Sequence, residues 1–217
     1  IYRLGKGYTS GFLTYSDGVH DDFNKALWSQ LGWRPQLDIR AFAQDYARFF
    51  FRNDLAEVGG DALLALENNW RGSLAENSSV DGTLKLWQSI EQSYGPLGAN
   101  WRLQMHLMRA YYDAYTRHRL IHETKLNQQA LARLRNAQKL GASEAIRQAK
   151  AELAKADAHT SKAKLRQAIV RHCDELFQSV GLQTSISKHQ ASGSERGCVL
   201  DFLDYPLNDR WWLEHRM

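Results

Sequence analysis

The sequence predicts a mainly α fold: a helical bundle with a long antiparallel two-helix hairpin, preceded by one strand–helix unit. Three observations predict it. From residue 36 to residue 180 the apolar residues recur every three or four positions, the period of an amphipathic helix. Gly141 and Gly181 stand where two long patterns stop, as glycine does at helix ends. Ahead of them, Gly11-Phe12-Leu13-Thr14-Tyr15-Ser16-Asp17-Gly18 reads as one strand and a sharp polar turn. A lone strand needs a partner ladder for its backbone donors and acceptors. No later segment offers one, so the chain is expected to be a piece of a longer protein. A first residue that is Ile1, and a final helix only just begun at Met217, accord with that reading.

The first helix is expected from about His20 to Leu31, with Phe23, Leu27 and Leu31 as one buried stripe. Gly32-Trp33-Arg34-Pro35 ends it, because proline disfavours a helical residue before it. Asp38 suits the N-cap of the next helix, faced by Ile39, Phe42, Tyr46 and Phe49. Asn53 or Asp54 caps a third, with Leu55, Val58, Ala62 and Leu66 inward, running toward Gly72 as a C′ residue. Ser78 with Asp81 resembles a capping box for a helix carrying Val80, Leu84, Trp87 and Tyr94.

Trp101, Met105, Met108, Tyr112 and Tyr115 then step by four and three residues, a heptad seam. It continues through Leu126 and Leu134 to about Leu140. After Gly141, Ser143 can cap a return helix carrying Ile146, Leu153, Leu165, Ile169, Leu176 and Val180. Each would be about 40 residues, roughly 60 Å at the α-helical rise. The turn between them permits only an antiparallel hairpin, whose thin, Ala-rich distal half is expected to protrude. Residues 184–197 read as a polar loop, Cys198–Leu203 as a segment docking on the core, and Asn208 as the cap of a helix from Arg210.

Seven tryptophans and 43% hydrophobic residues argue for a packed globular chain. Mean hydropathy is −0.54, and no run approaches the ~20 apolar residues of a membrane span. Residues 117–171 hold 13 Lys/Arg against 4 Asp/Glu, a local charge of +9 within a chain of net +4. That stretch has no stacking aromatic after Tyr115 and no Gly-rich loop, so it reads as a solvated helix surface rather than a nucleic-acid interface. It also offers a surface for self-association through the hairpin. Cys173 and Cys198 fit no metal spacing and leave both pairing and free thiols open. His118 and His122 are four apart but lack the acidic motif of a helical metal site. No metal or cofactor is expected.

Two groups of residues are candidates for chemistry. Tyr15 and Asp17 lie where a β/α-barrel strand would meet its active-site mouth, with a hydroxyl, a stacking face and a carboxylate for a sugar. Asp21 and Asp22, one turn further, suit the helix dipole. The second group is Trp70 and Arg71 together with Trp101 and Arg102, in which an indole adjoins a guanidinium and amides at a helix boundary. Trp70, Arg71 and Trp101 are taken as sugar-contacting candidates; the alternative is that both indoles are core residues.

The runs Thr14–Gly18, Asp21–Lys25, Trp28–Trp33, Asp38–Arg40 and Asp45–Phe50 resemble the post-barrel region of certain bacterial glycoside hydrolases. The layout is similar to alpha-glucuronidases and alpha-N-acetylglucosaminidases, most closely over residues 11–123. The resemblance implies that residues 1–35 are the final strand and helix of a β/α barrel. Residues 36–217 would be a helical C-terminal domain with the hairpin protruding at about 117–165. It implies a carbohydrate substrate for the parent protein and a periplasmic or secreted location. The catalytic carboxylates of those families stand on earlier strands, so this chain alone is not expected to catalyse. A helical module for protein partners is the rival reading.

Overall fold

The computed structural model describes residues 2–13, 21–95, 100–158, 162–193 and 197–217. The chain is mainly helical, and no strand occurs among the described residues. Residues 11–13 belong to no strand. The rest of the expected strand, with Tyr15 and Asp17, lies outside the described residues. The helices are α1 (Tyr2–Gly5), α2 (Asp22–Trp33), α3 (Ile39–Phe50), α4 (Ala56–Asn68), α5 (Ser79–Tyr94) and α6 (Trp101–Arg135), then α7 (Ala137–Leu140), α8 (Ala142–Leu153), α9 (Ala163–Val180), α10 (Ile186–His189), α11 (Val199–Phe202) and α12 (Arg210–Arg216).

Local chemistry accounts for several boundaries. The Asp38 carboxylate accepts from the Arg40 and Ala41 amides and starts α3, as its position predicts. The Asn100 side chain accepts from Leu103 N at 3.1 Å and starts α6. Gly181, at φ 69°, ends α9 in the left-handed conformation. The N-cap of α12 is Asp209 rather than the expected Asn208; Asn208, one residue earlier, accepts from Arg210 N at 3.1 Å. The capping box fails, because the Ser78 side chain makes no cap bond. Asn77 accepts from Ser79 N instead, and Asp81 turns to Arg117 and His118 on α6.

The core gathers Tyr46, Phe51, Leu55, Leu63, Val80, Trp87, Ile90, Leu103, Met108 and Tyr115, with Ile169 and Leu176 from α9. Trp87 is fully buried, and its indole N–H donates to the Ala62 carbonyl at 3.1 Å, so a large apolar body enters without an orphaned donor. The helix pair α3–α4 approaches unusually closely. A Cβ on Gly60 would lie 2.8 Å from the Gln44 amide nitrogen, and one on Gly59 would lie 2.9 Å from the Ala47 Cβ. This crossing corrects the expected inner face of α3. Ala43, Tyr46 and Ala47 are buried, while Phe49 is 82% exposed.

The α6 seam packs on α5 and α9, but the buried face is wider than one heptad stripe and includes Leu107, Tyr111 and Ala114. Positions on α6 fall as those on α8 and α9 rise: Arg133 meets Glu152, Tyr111 meets His172, and Met108 meets Cys173. The segment after Gly141 is not one continuous helix. A 3₁₀ stretch at Ala154–Ala158 follows α8, and α8 begins directly after Gly141 without a Ser143 cap. Around the distal part of α6, Ala130, Ala149, Leu153 and Leu213 form a separate small cluster. Glu91, near the end of α5, accepts from Tyr111 at 2.8 Å and from Arg171 at 2.7 Å.

The C-terminal segment folds back on this frame. Arg119, nearly buried, donates to the carbonyls of Leu203, Asp204 and Tyr205. Tyr115 and Arg166 hold the Asp204 carboxylate. The stretch from Thr184 is less loop-like than its composition suggests. His189 of α10 is buried between Thr184 Oγ1 at 2.9 Å and Asp174 at 3.0 Å. Cys173 is a free thiol against Met108, and burial raises its pKa to about 11.

Candidate functional site

One residue out of phase with the apolar seam, α6 carries a second row: Arg102, His106, Arg109 and Asp113. The steps of four, three and four keep them on one face. His106 and Arg109 face a cleft, while Arg102 and Asp113 on the same row are held by neighbouring side chains.

Arg102 stands between two aromatic faces, 4.0 Å from the Phe50 centroid and 4.0 Å from that of Trp101. Its guanidinium reaches the Asp22 carboxylate at 2.8 and 3.3 Å. The Tyr46 hydroxyl donates to the same carboxylate at 2.5 Å. Burial raises the Asp22 pKa, but the Arg102 and Tyr46 hydrogen bonds outweigh it and leave the carboxyl below its ordinary value. Burial and the neighbouring carboxylate raise the pKa of Tyr46.

His106 lies flat against Trp87, with centroids 5.6 Å apart and planes 8° from parallel, and edge-on to Phe51. Its Nδ1 is 2.7 Å from the Arg102 carbonyl. A carbonyl only accepts, so Nδ1 carries the proton and Nε2 holds the lone pair of the neutral ring. Burial lowers the His106 pKa to about 4, so the ring is neutral at pH 7.

Arg109 donates through Nε to Asp113 at 2.8 Å, and Asn69 Nδ2 donates to the other carboxylate oxygen at 2.9 Å. Asp113 and Asn69 are almost wholly buried, and burial raises the Asp113 pKa. Asn69 Oδ1 has no hydrogen-bond partner among the described residues. The Arg109 guanidinium covers the Trp70 ring at 5.0 Å.

The cleft encloses about 390 Å³ between α2, the start of α3, the second half of α4 and α6. Phe23, Leu27, Leu63, Leu64 and Leu66 give it an apolar floor. Asn24, Glu67, Arg71, His106 and Arg109 supply its polar groups. Of the sequence candidates, Arg71 is on this wall. Trp70 is 54% exposed and borders the cleft through Arg109. Trp101 is half-buried against Arg102 and does not line the cleft. The two indoles therefore serve different arginines, Arg109 for Trp70 and Arg102 for Trp101, about 10 Å apart along α6 at the helical rise. Neither indole is a fully buried core residue.

Sequence reasoning missed His106, Asp22 as a tertiary anchor, and the Asn69–Asp113 pair. The repeated polar row on α6 was the signal available for the first. Elsewhere, part of the basic segment is committed to ion pairs. Arg117 pairs with Asp81, Arg133 with Glu152, Arg147 with Glu144, Arg166 with Asp204 and Arg171 with Glu91. His118 is likewise engaged by Asp81. No cluster of metal ligands occurs among the described residues, and no helix is long and apolar enough to cross a membrane. No protein-family model, characterised protein or solved structure matches the chain.

Proposed function

We propose that this chain is the last strand–helix unit and helical C-terminal domain of a carbohydrate-active enzyme of the glycoside-hydrolase type. In this reading it holds the turn at Tyr15 and Asp17 in place and does not catalyse alone. The observation that supports it is the anchoring of Asp22 by Arg102 and Tyr46. Asp22 opens α2, so a half-buried ionic contact ties the start of that helix to α3 and α6, a few residues after Asp17 in sequence. A turn that presents substrate-contacting groups needs such a rigid mount. The same reading takes residues 101–180 as an antiparallel hairpin bracing the domain, supported by the falling and rising partners along α6, α8 and α9.

The test is hydrolysis of a panel of aryl glycosides by the full-length gene product and its Asp17→Asn variant. The expected result is turnover by the wild type. Asp17→Asn should lower kcat/KM by one to a few decades with little change in Tm, at roughly 1.4 kcal/mol per decade. No turnover of any glycoside, or an unstable but fully active variant, overturns the proposal.

A second reading, a non-enzymatic module for a protein partner, is favoured by Trp211 and Trp212 on α12. They are 56% and 48% exposed, an uncommon display for tryptophan away from interfaces.

A further inference from the structure

We propose that the cleft between α2, α3, α4 and α6 binds a small amphiphilic monocarboxylate that also carries a hydroxyl group. This inference does not depend on the glycosidase reading.

The volume of about 390 Å³ lies within the ordinary range of small-molecule sites. The floor is built from leucines and Phe23, and no indole lines it; Trp70 lies outside the lining with Arg109 over one face of its ring. Such a floor suits an apolar body better than a polyhydroxylated ring, whose hydroxyls it would leave unpaired. The charges then select the head group. Arg109 is already balanced by Asp113 at 2.8 Å. Arg71 has no side-chain hydrogen bond or ion pair among the described residues, so its guanidinium is open to an anionic head group, with Glu67 the carboxylate on the same wall. A planar fork with one positive charge matches one carboxylate. A phosphate dianion would meet the Glu67 carboxylate at the same wall with only one cation to offset it.

The remaining polar groups ask for a donor. Glu67 accepts only, and its side chain has no partner among the described residues. His106 Nε2 carries a lone pair, because Nδ1–H is committed to the Arg102 carbonyl at 2.7 Å. A ligand hydroxyl supplies the proton that either of them lacks. The arrangement is an apolar slot with a carboxylate receptor and hydroxyl acceptors on one wall.

The probe is 4-hydroxycinnamate, titrated calorimetrically into the full chain at pH 7. Saturable one-to-one binding is expected. Its methyl ester, which lacks the charge, should bind at least tenfold more weakly. Cinnamate, which lacks the hydroxyl, should bind several-fold more weakly. Arg71→Met should weaken the acid at least tenfold and leave the ester unchanged. Arg71 is exposed, so an unaltered thermal transition is the check that this variant is folded. Leu64→Trp, which fills the slot, should weaken acid and ester alike. The proposal is overturned if the acid shows no saturable binding, if Arg71→Met binds it as the wild type does, or if Leu64→Trp leaves its affinity intact.

Discussion

Asp22 and Arg102 are 80 residues apart in sequence and meet at 2.8 and 3.3 Å, with the Tyr46 hydroxyl on the same carboxylate. Each side chain of the ion pair is 26% exposed. The contact is therefore desolvated enough to matter and open enough that neither charge is trapped without water. Three helices that share little sequence neighbourhood are pinned at this one carboxylate.

Arg102→Met should expose the value of that pin. It strips the carboxylate of its cation and removes the plate between Phe50 and Trp101. A loss of about 2 kcal/mol is expected, read as a fall in Tm of roughly 4–8 °C for a chain of this size. Asp22→Asn should cost less, since the amide still accepts from Tyr46. A Tm for Arg102→Met within about 1 °C of the wild type would show that the pair contributes nothing.

Acid should destabilise the fold in two separable windows. Burial lowers the His106 pKa from 6.5 to about 4, so the unfolded chain takes up a proton there first. Stability is then lost as pH falls from about 6.5 toward 4. At Glu91, burial pushes the carboxyl up, but hydrogen bonds from His172, Arg171 and Tyr111 bring it down to about 2. That contribution is complete above about 4.5 and is lost as pH falls toward 2. Thermal unfolding measured from pH 8 to pH 3 should show His106→Gln flattening the upper window and Glu91→Gln the lower one. The reverse assignment would contradict both pKa directions.

Two glycine-to-alanine exchanges should move stability in opposite directions. Gly60→Ala gains helix propensity but sets a methyl 2.8 Å from a backbone nitrogen of α3, which cannot swing aside. A net loss of about 1–3 kcal/mol is expected from overpacking. Gly82→Ala, inside α5 with open space around it, should gain about 0.5–1 kcal/mol. Urea midpoints of the two variants check this, and a stabilised Gly60→Ala would mean that α3 and α4 separate easily.

Hydrogen exchange should be uneven along the long helices. Met108 belongs to the main core, whereas Ala149 packs in a cluster of Ala130, Leu153 and Leu213 that buries little area per residue. Amides around Ala149 should exchange well before those around Met108. Equal protection at the two sites would show that the distal part opens only with the whole fold.

Much of the helical frame was legible because periodicity reports burial directly. Trp101, Met105, Met108, Tyr112 and Tyr115 stepped along α6, and Asp38 announced its cap. The inner face of α3 was not legible, since it depends on Gly59 and Gly60 in another helix allowing a close crossing. The break after α8 was hidden because alanine and lysine suit both an α-helix and a 3₁₀ turn. At the cleft, Arg71 was visible as a polar residue beside an indole. His106 was invisible, because its role comes from stacking on Trp87 and from a carbonyl that fixes its tautomer, and neither is a property of local sequence.

The paired rows on α6 also limit how this gene can change length. One row feeds the core, and the other, a single residue later, supplies Arg102, His106, Arg109 and Asp113. A one-residue insertion between Leu103 and Met105 would turn the preceding part of the helix by about 100° relative to the rest. Trp101 would exchange places with a polar neighbour, and Arg102 would swing away from Asp22. Insertions between helices meet no such bar. Length variation is therefore expected to accumulate in the connections and to spare the middle of α6, which acts as the molecule's rotational reference.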